Sequence, residues 1–173
     1  VENYQHGRID SAYWLRYGED TVLNLNDCPV SESWLQEWFN HHPRPDVALG
    51  AFSYASPYPV CYDVRGQDRD GLLAENVSEV LASFAKTMGI LKPRHAVPFA
   101  TQYGFFLPGS EWMTQHIPTP HAAIEAIAEK FPDVNGTLLN PGDRLSVKMG
   151  KMTPGPIFDW SARDNAAASE IKR

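Results

Sequence analysis

Segments with the periodicity of strands alternate along this chain with segments of helical periodicity, and this alternation is what most constrains the fold. Short apolar runs typical of buried strands lie at residues 21–26, 46–53 and 95–100. Apolar residues recur at helical spacing in residues 31–39, 72–88 and 120–131. Alternation of this kind predicts an α/β domain in which helices flank one mixed sheet.

Two hairpins are predicted from turn residues. A Gly-containing turn at 18–20 separates the apolar run 11–17 from the first buried strand. Near the end of the chain, an Asn-Pro-Gly-Asp turn at 140–143 separates predicted strands at 137–139 and 144–147.

Residues that favour helix ends mark the predicted helices. Ser31 or Ser33 is suited to cap the first helix, and Pro120 stands near the start of the third. Gly89 is suited to the C-terminal cap of the second helix. The aromatic residues of the first helix follow helical spacing, which is more typical of a core than of a binding groove: Trp34, Trp38 and Phe39.

Length and charge limit the organisation and the partners of the chain. Its 173 residues suffice for one domain, which we place at residues 1–150, followed by a loosely attached tail at 151–173. The formal net charge is −6 and no basic stripe is present, which argues against nucleic-acid binding. No apolar run approaches the ~20 residues of a membrane-spanning helix, and the first residues do not resemble a signal peptide. We therefore expect a cytoplasmic protein with no membrane partner.

Cys28 and Cys61 are the only two cysteines of the sequence. They could pair, but two cysteines in a chain of this size do not make a disulfide scaffold. Neither lies in a C-x-x-C pattern, which argues against a thiolate zinc site. We expect buried, reduced thiols.

The segment 21–28 carries the strongest chemical signal. Its apolar strand delivers Asp27 at the C-terminal end, and strand ends are rigid positions that open into a crevice. An aspartate at such a place is common in active sites. The competing interpretation is a turn role, because Asn26 and Asp27 before Pro29 are good turn chemistry.

This segment resembles the strand of metallo-β-lactamase-fold proteins whose terminal Asp binds the metal. The resemblance is closest to the branch of the cytidine-monophosphate N-acetylneuraminate hydroxylases. In that branch a His, a short spacer and an Asp precede the strand, as His6 and Asp10 do here. Three further segments resemble the branch in the same order, at 45–55, 92–100 and 139–143.

The resemblance implies a fold and a set of site residues. The fold is the C-terminal half of an αββα sandwich, with a mixed sheet and flanking helices. Asp27 and His6 would bind a metal, either iron or zinc, and Asp10 would orient His6. Tyr103 and His95 would contact a small-molecule substrate such as a nucleotide sugar. The ordinary alternatives are an exposed His6, an Asp10 that caps a strand, and a His95 that faces water.

The chain also departs from the family's pattern. The H-x-H-x-D-H metal-binding loop of the fold is missing, and Ala100 stands at the place of a late metal-binding His. His6 and Asp27 are fewer ligands than a catalytic metal site normally has, so a complete site needs an N-terminal segment or another chain. Paired Cys and His ligands for a Rieske iron–sulfur cluster are missing too, so that cluster would come from a missing domain.

Three functions follow as expectations. The first is part of a metal-dependent enzyme resembling the Rieske-coupled nucleotide-sugar (sialic acid) monooxygenases, inactive as this chain alone. The second is a metal-dependent hydrolase that uses a metal-activated water. The third is a metal-free binding or structural module. Because half of a sandwich leaves one sheet face apolar, we also expect a homodimer that buries this face.

Overall fold

The main sheet has four strands in the part of the chain that the structure describes. A computed structural model describes residues 11–28, 30–53, 58–59, 62–99, 109, 111–114, 116–147 and 151–155. In these residues the sheet has the order β1-β2-β3-β4, with β1 at Tyr13–Tyr17, β2 at Asp20–Asn24, β3 at Val47–Gly50 and β4 at His95–Pro98. Two shorter strands, β5 (Arg144–Ser146) and β6 (Lys151–Thr153), pair with each other.

Four helices accompany these strands in the described residues. They are α1 (Glu32–Phe39), α2 (Arg69–Leu91), α3 (Glu111–Thr114) and α4 (Pro120–Lys130). In the chain, α1 lies between β2 and β3, and α2 lies between β3 and β4. None of the helices in the described part of the chain is long and apolar enough to cross a membrane.

The sheet is mixed in strand direction. β1 pairs antiparallel with β2, whereas β2, β3 and β4 run parallel, with Val47 opposite both Val22 and His95. Parallel neighbours need a crossover connection, and α1 and α2 supply it. The predicted α/β class with a mixed open sheet and flanking helices is therefore confirmed.

The first predicted hairpin is confirmed as the β1–β2 pair. Tyr17 lies opposite Asp20, so Gly18 and Glu19 form a two-residue loop. Gly18 has a φ of 61°, which residues with a side chain rarely adopt. A positive φ at the first of two loop residues is what a type II′ hairpin turn requires, and this explains the glycine.

Helix α1 begins and packs as its sequence predicts. The Ser31 hydroxyl accepts a hydrogen bond from the Trp34 backbone N–H at 3.1 Å, which caps the first turn. Leu35 and Trp38 are buried, and the Trp38 ring meets that of Trp14 edge-on with centroids 5.0 Å apart. The aromatic residues of this helix therefore belong to the core.

Helix α2 is longer than predicted at both ends. The Asp68 carboxylate caps it by accepting from the Gly71 backbone N–H at 3.1 Å. At the other end the predicted cap is wrong, because Gly89 is buried inside the helix. The helix instead ends at Lys92, whose φ of 44° is left-handed and whose N–H bonds the Met88 carbonyl at 2.8 Å.

The main cluster of buried side chains lies on one face of the main sheet. Leu23, Ala48 and Ala96 are neighbours across β2, β3 and β4, and each is buried. The buried side chains of the helices join them in one cluster, among them Leu35, Trp38, Phe84, Met88, Ala123 and Ile127. The helices α1, α2 and α4 therefore all pack on the same face, and α2 contacts both of the others.

The second predicted hairpin is wrong, because its two predicted strands do not pair with each other. Residues 137–139 form no strand, and Gly136 makes only a single parallel bridge with Ala96 of β4. The Asp143 carboxylate accepts the N–H groups of Asn140 and Gly155 at 2.8 and 2.6 Å. The turn therefore closes onto the segment after β6, and β5 pairs with β6 instead. β6 opens the region that we assign to the tail, and the division at residue 150 stays a prediction.

Candidate functional site

A cavity opens where β2 and β3 end. Because the two strands are parallel, their C-terminal ends lie at the same edge of the sheet, next to α2. The cavity has a volume of about 220 Å³. Its lining combines apolar groups with the polar residues that follow the strands and with hydroxyl groups of α2: Asn26, Asp27, Cys28, Ser53, Ser83 and Thr87.

Asp27 lies at this cavity because of a tight turn after β2. Asn26 has a φ of 51°, and its N–H bonds the Asn24 side chain at 2.8 Å. The Cys28 N–H closes the turn on the Leu25 carbonyl at 2.8 Å. Asp27 is exposed and accepts from the Asn26 amide at 2.7 Å. The turn role and the site role of Asp27 are therefore compatible, since the turn places Asp27 among the residues that line the cavity.

Ser53 is a buried residue that lines the same cavity. The residue follows β3 and is 5 % exposed. Its Oγ has no hydrogen-bond partner among the described residues. Buried hydroxyls are nearly always paired, so an unpaired one is an unusual feature of this part of the structure. We did not predict Ser53 from the sequence; its place directly after a buried strand, as for Asp27, was the signal.

The wall of the cavity opposite the strands is helix α2. Among the residues of α2 that line the cavity, Phe84 and Met88 are buried, and Ser83 and Thr87 carry hydroxyl groups. The approach of α2 to β3 is close, because a Cβ built on Gly50 would lie 2.9 Å from the Met88 methyl. A side chain at Gly50 would displace the Met88 methyl, which lies at the end of a flexible side chain, and would bring a methyl group next to the Phe84 ring.

The described residues do not form a metal site by themselves. No three His, Cys, Asp or Glu side chains gather anywhere in the described part of the chain. Asp27 and Cys28 are the residues of these types that line the cavity, and a catalytic metal normally has three protein ligands. A metal beside Asp27 would therefore need ligands beyond these residues.

Three of the predicted site positions lie outside the described residues: His6, Asp10 and Tyr103. Ala100 also lies outside them. Asp27 and His95 are the predicted site residues that the structure describes, and it does not bring them together. His95 is the first residue of β4, whereas Asp27 follows the last residue of the parallel strand β2. His95 therefore lies where the parallel strands begin, and Asp27 lies where they end.

His95 is held in a polar cluster at the start of β4. It is 8 % exposed, and its Nδ1 lies 2.9 Å from the Thr137 hydroxyl and 3.2 Å from the Asn135 amide. The Asn135 amide also donates to the Arg94 carbonyl at 3.2 Å. These contacts join β4 to the segment after α4. The substrate contact of His95 stays a prediction, and the cavity beside Asp27 lends it no support.

No protein-family model matches this chain, and neither curated proteins nor solved structures contain a significant match.

Proposed function

We propose that this chain is part of a metal-dependent enzyme and that the cavity beside Asp27 belongs to its active site. In this proposal the sheet and its helices are the C-terminal half of a metallo-β-lactamase-type sandwich. The enzyme class is that of the Rieske-coupled nucleotide-sugar (sialic acid) monooxygenases, which the sequence resembles, and the substrate is a small molecule.

The observation that carries the proposal is the place of Asp27. Its exposed carboxylate follows a buried parallel strand and lines a cavity of about 220 Å³. Ligand sites of open α/β sheets occur in crevices beyond the C-terminal ends of the strands. Ser53 supports this location, since it lines the same cavity after the end of the next strand.

The order of the strands is compatible with one site built by the segments that resemble the hydroxylase branch. The segments 21–28, 45–55 and 92–100, which resemble the hydroxylase branch, include the consecutive parallel strands β2, β3 and β4. Their C-terminal ends share one edge of the sheet, as residues that build one site must. The metal, iron or zinc, would take Asp27 and His6 as ligands and the remainder from protein outside the described residues. An iron–sulfur cluster would come from another domain.

Metal content tests the proposal. The full-length protein is purified without chelators, and its iron and zinc are measured by elemental analysis for wild type, Asp27→Asn and Asp133→Asn. Asp133 is an exposed aspartate that does not line the cavity, so its variant controls for the loss of one charge. We expect wild type and Asp133→Asn to retain metal and Asp27→Asn to bind it at least about tenfold more weakly.

Two other functions make different predictions in the same experiment. A hydrolase that uses a metal-activated water would contain zinc, lack an iron–sulfur cluster and turn over an ester or amide substrate. A metal-free binding module would contain neither metal, and Asp27→Ala would abolish no activity. Absence of both iron and zinc would contradict both enzyme proposals.

A further inference from the structure

Strand β1 lies at the edge of the main sheet, and no other strand of the described residues pairs with its outer side. Arg16 of β1 lies opposite Thr21 of β2. The Thr21 N–H donates to the Asp46 carboxylate at 2.8 Å, and the Thr21 carbonyl accepts from the Asp46 N–H at 3.1 Å. Thr21 therefore directs its backbone groups away from β1, which makes its pair with Arg16 a non-hydrogen-bonded one.

The outer edge of β1 consequently presents hydrogen-bonding groups. In a non-hydrogen-bonded antiparallel pair both residues point their N–H and C=O groups away from each other. Arg16 and, two residues earlier, Trp14 thus point these groups away from β2. An exposed strand edge of this kind is a template for pairing with another strand.

The side chains on the exposed face of β1 are large and apolar. Tyr13, Leu15 and Tyr17 share one face of the strand and are 58 %, 57 % and 89 % exposed. Natural edge strands avoid pairing through lysine, proline or bulges, and β1 contains none of these. Its only charged residue is Arg16.

The sequence of β1 is self-complementary about Leu15. In an antiparallel pair of two copies centred there, Leu15 faces the partner's Leu15 and Tyr13 faces the partner's Tyr17. On the other face, Trp14 lies opposite the partner's Arg16, an arrangement suited to a cation–π contact. Aromatic, aliphatic and cation–aromatic pairs of this kind stabilise neighbouring strands. In this register the N–H and C=O groups of Trp14 that point away from β2 lie opposite those of the partner's Arg16.

We propose that two copies of this chain dimerise by antiparallel pairing of their β1 strands about a twofold axis at Leu15. The two main sheets then form one continuous sheet, and the interface uses the same surface of each copy. Five residues of each copy pair, a small interface, and we therefore expect dissociation constants in the micromolar range. None of these residues lines the cavity beside Asp27, so the proposal does not rest on the proposed function.

Sedimentation velocity over about 1–500 µM protein tests the dimer. Wild type should shift from monomer to dimer over this range. Leu15→Lys should raise the dissociation constant at least tenfold, because it places two ammonium groups next to each other at the axis. Tyr62→Lys is the matched control: Tyr62 is 53 % exposed but lies outside β1, so this variant should dimerise like wild type. A monomer at all concentrations, or equal effects of the two variants, would overturn the proposal.

Cross-linking tests the register. Leu15→Cys should form an intermolecular disulfide under mild oxidation, mapped by mass spectrometry to the peptide around position 15 in both copies. Tyr17→Cys should not, because the two substituted positions would lie about 13 Å apart along the strands, beyond the reach of about 7 Å between disulfide-linked Cα atoms. Equal cross-linking of the two variants, or none for Leu15→Cys, contradicts pairing about Leu15. Circular dichroism establishes that each variant is folded as wild type is.

Discussion

The ring of Phe131 lies directly against the backbone of Gly89. A Cβ built on Gly89 would stand 2.5 Å from two atoms of that ring. Gly89 lies in α2 and Phe131 follows the last residue of α4, so the absence of a side chain lets the two helices approach. The glycine that looks like a helix terminator in the sequence is instead a packing position.

Gly89→Ala should therefore destabilise the protein. Overpacking costs about 1–3 kcal/mol, which outweighs the gain in helix propensity of about 1 kcal/mol. Urea unfolding measures the difference in the free energy of unfolding. In a Phe131→Ala background the clash is absent, and Gly89→Ala should then be neutral or stabilising. The same loss in both backgrounds would show that the contact is not the cause.

Asp46 ties the N-terminal ends of β2 and β3 together. Its carboxylate accepts the Thr21 N–H and the Thr21 hydroxyl, both at 2.8 Å, and lies 3.2 Å from the Arg94 Nε. Asp46→Ala should lower the free energy of unfolding by about 2–3 kcal/mol, because the buried Thr21 N–H and the Thr21 hydroxyl proton lose their acceptor. The Thr21 hydroxyl oxygen keeps its hydrogen bond from the backbone N–H of residue 46. Arg94→Ala, at a side chain that is 68 % exposed, should cost less than about 1 kcal/mol. Thermal unfolding of both variants checks the contrast.

Lys92 ends α2 in a left-handed conformation that favours glycine. Its φ is 44°, and a side chain in this region costs about 1–2 kcal/mol. Lys92→Gly should stabilise the protein by about 0.5–1 kcal/mol after the greater entropy of an unfolded glycine is subtracted. Lys130→Gly, the same substitution at a helical residue of α4, should destabilise instead. Unfolding in urea distinguishes the two signs.

Asp143 makes stability depend on pH. Hydrogen bonds from the Gly155 and Asn140 backbone N–H groups lower the pKa of its carboxyl. Since the folded state favours the ionised form, this contribution is fully present above the unfolded pKa of about 3.9. It is lost as the pH falls through the lower folded pKa.

Asp143→Asn should consequently destabilise the protein near neutral pH. The difference from wild type should shrink as the pH falls below about 4, where the wild-type carboxyl becomes protonated. Unfolding free energies measured across the acid range check this. Asp133→Asn makes the same change of charge at an exposed side chain and should show no such trend. A constant difference at every pH would rule out the carboxylate as the source.

Part of the candidate site was predictable from the sequence. Asp27 was identified because a single strand and its terminal residue are local features. Ser53 was missed because its importance depends on β3 lying parallel to β2, which places the two strand ends together. His95 was grouped with the site, yet it lies at the start of β4, where the parallel strands begin. The directions of the strands decide whether Ser53 and His95 lie near Asp27. The periodicity of a segment gives no information about strand direction.

Local sequence patterns were sufficient to predict most of the helices and strands. Apolar periodicity predicted β2, β3, β4 and the three longer helices, and turn and cap residues such as Gly18 and Ser31 marked their ends. These features depend on neighbours a few residues away, which is why they can be recognised in one segment at a time. Which of these helices and strands contact each other depends instead on the packing of the folded chain. The partner of β5, the contact of Gly89 with Phe131 and the cavity between Asp27 and Ser53 all arise from residues distant in sequence, whose packing no local pattern specifies.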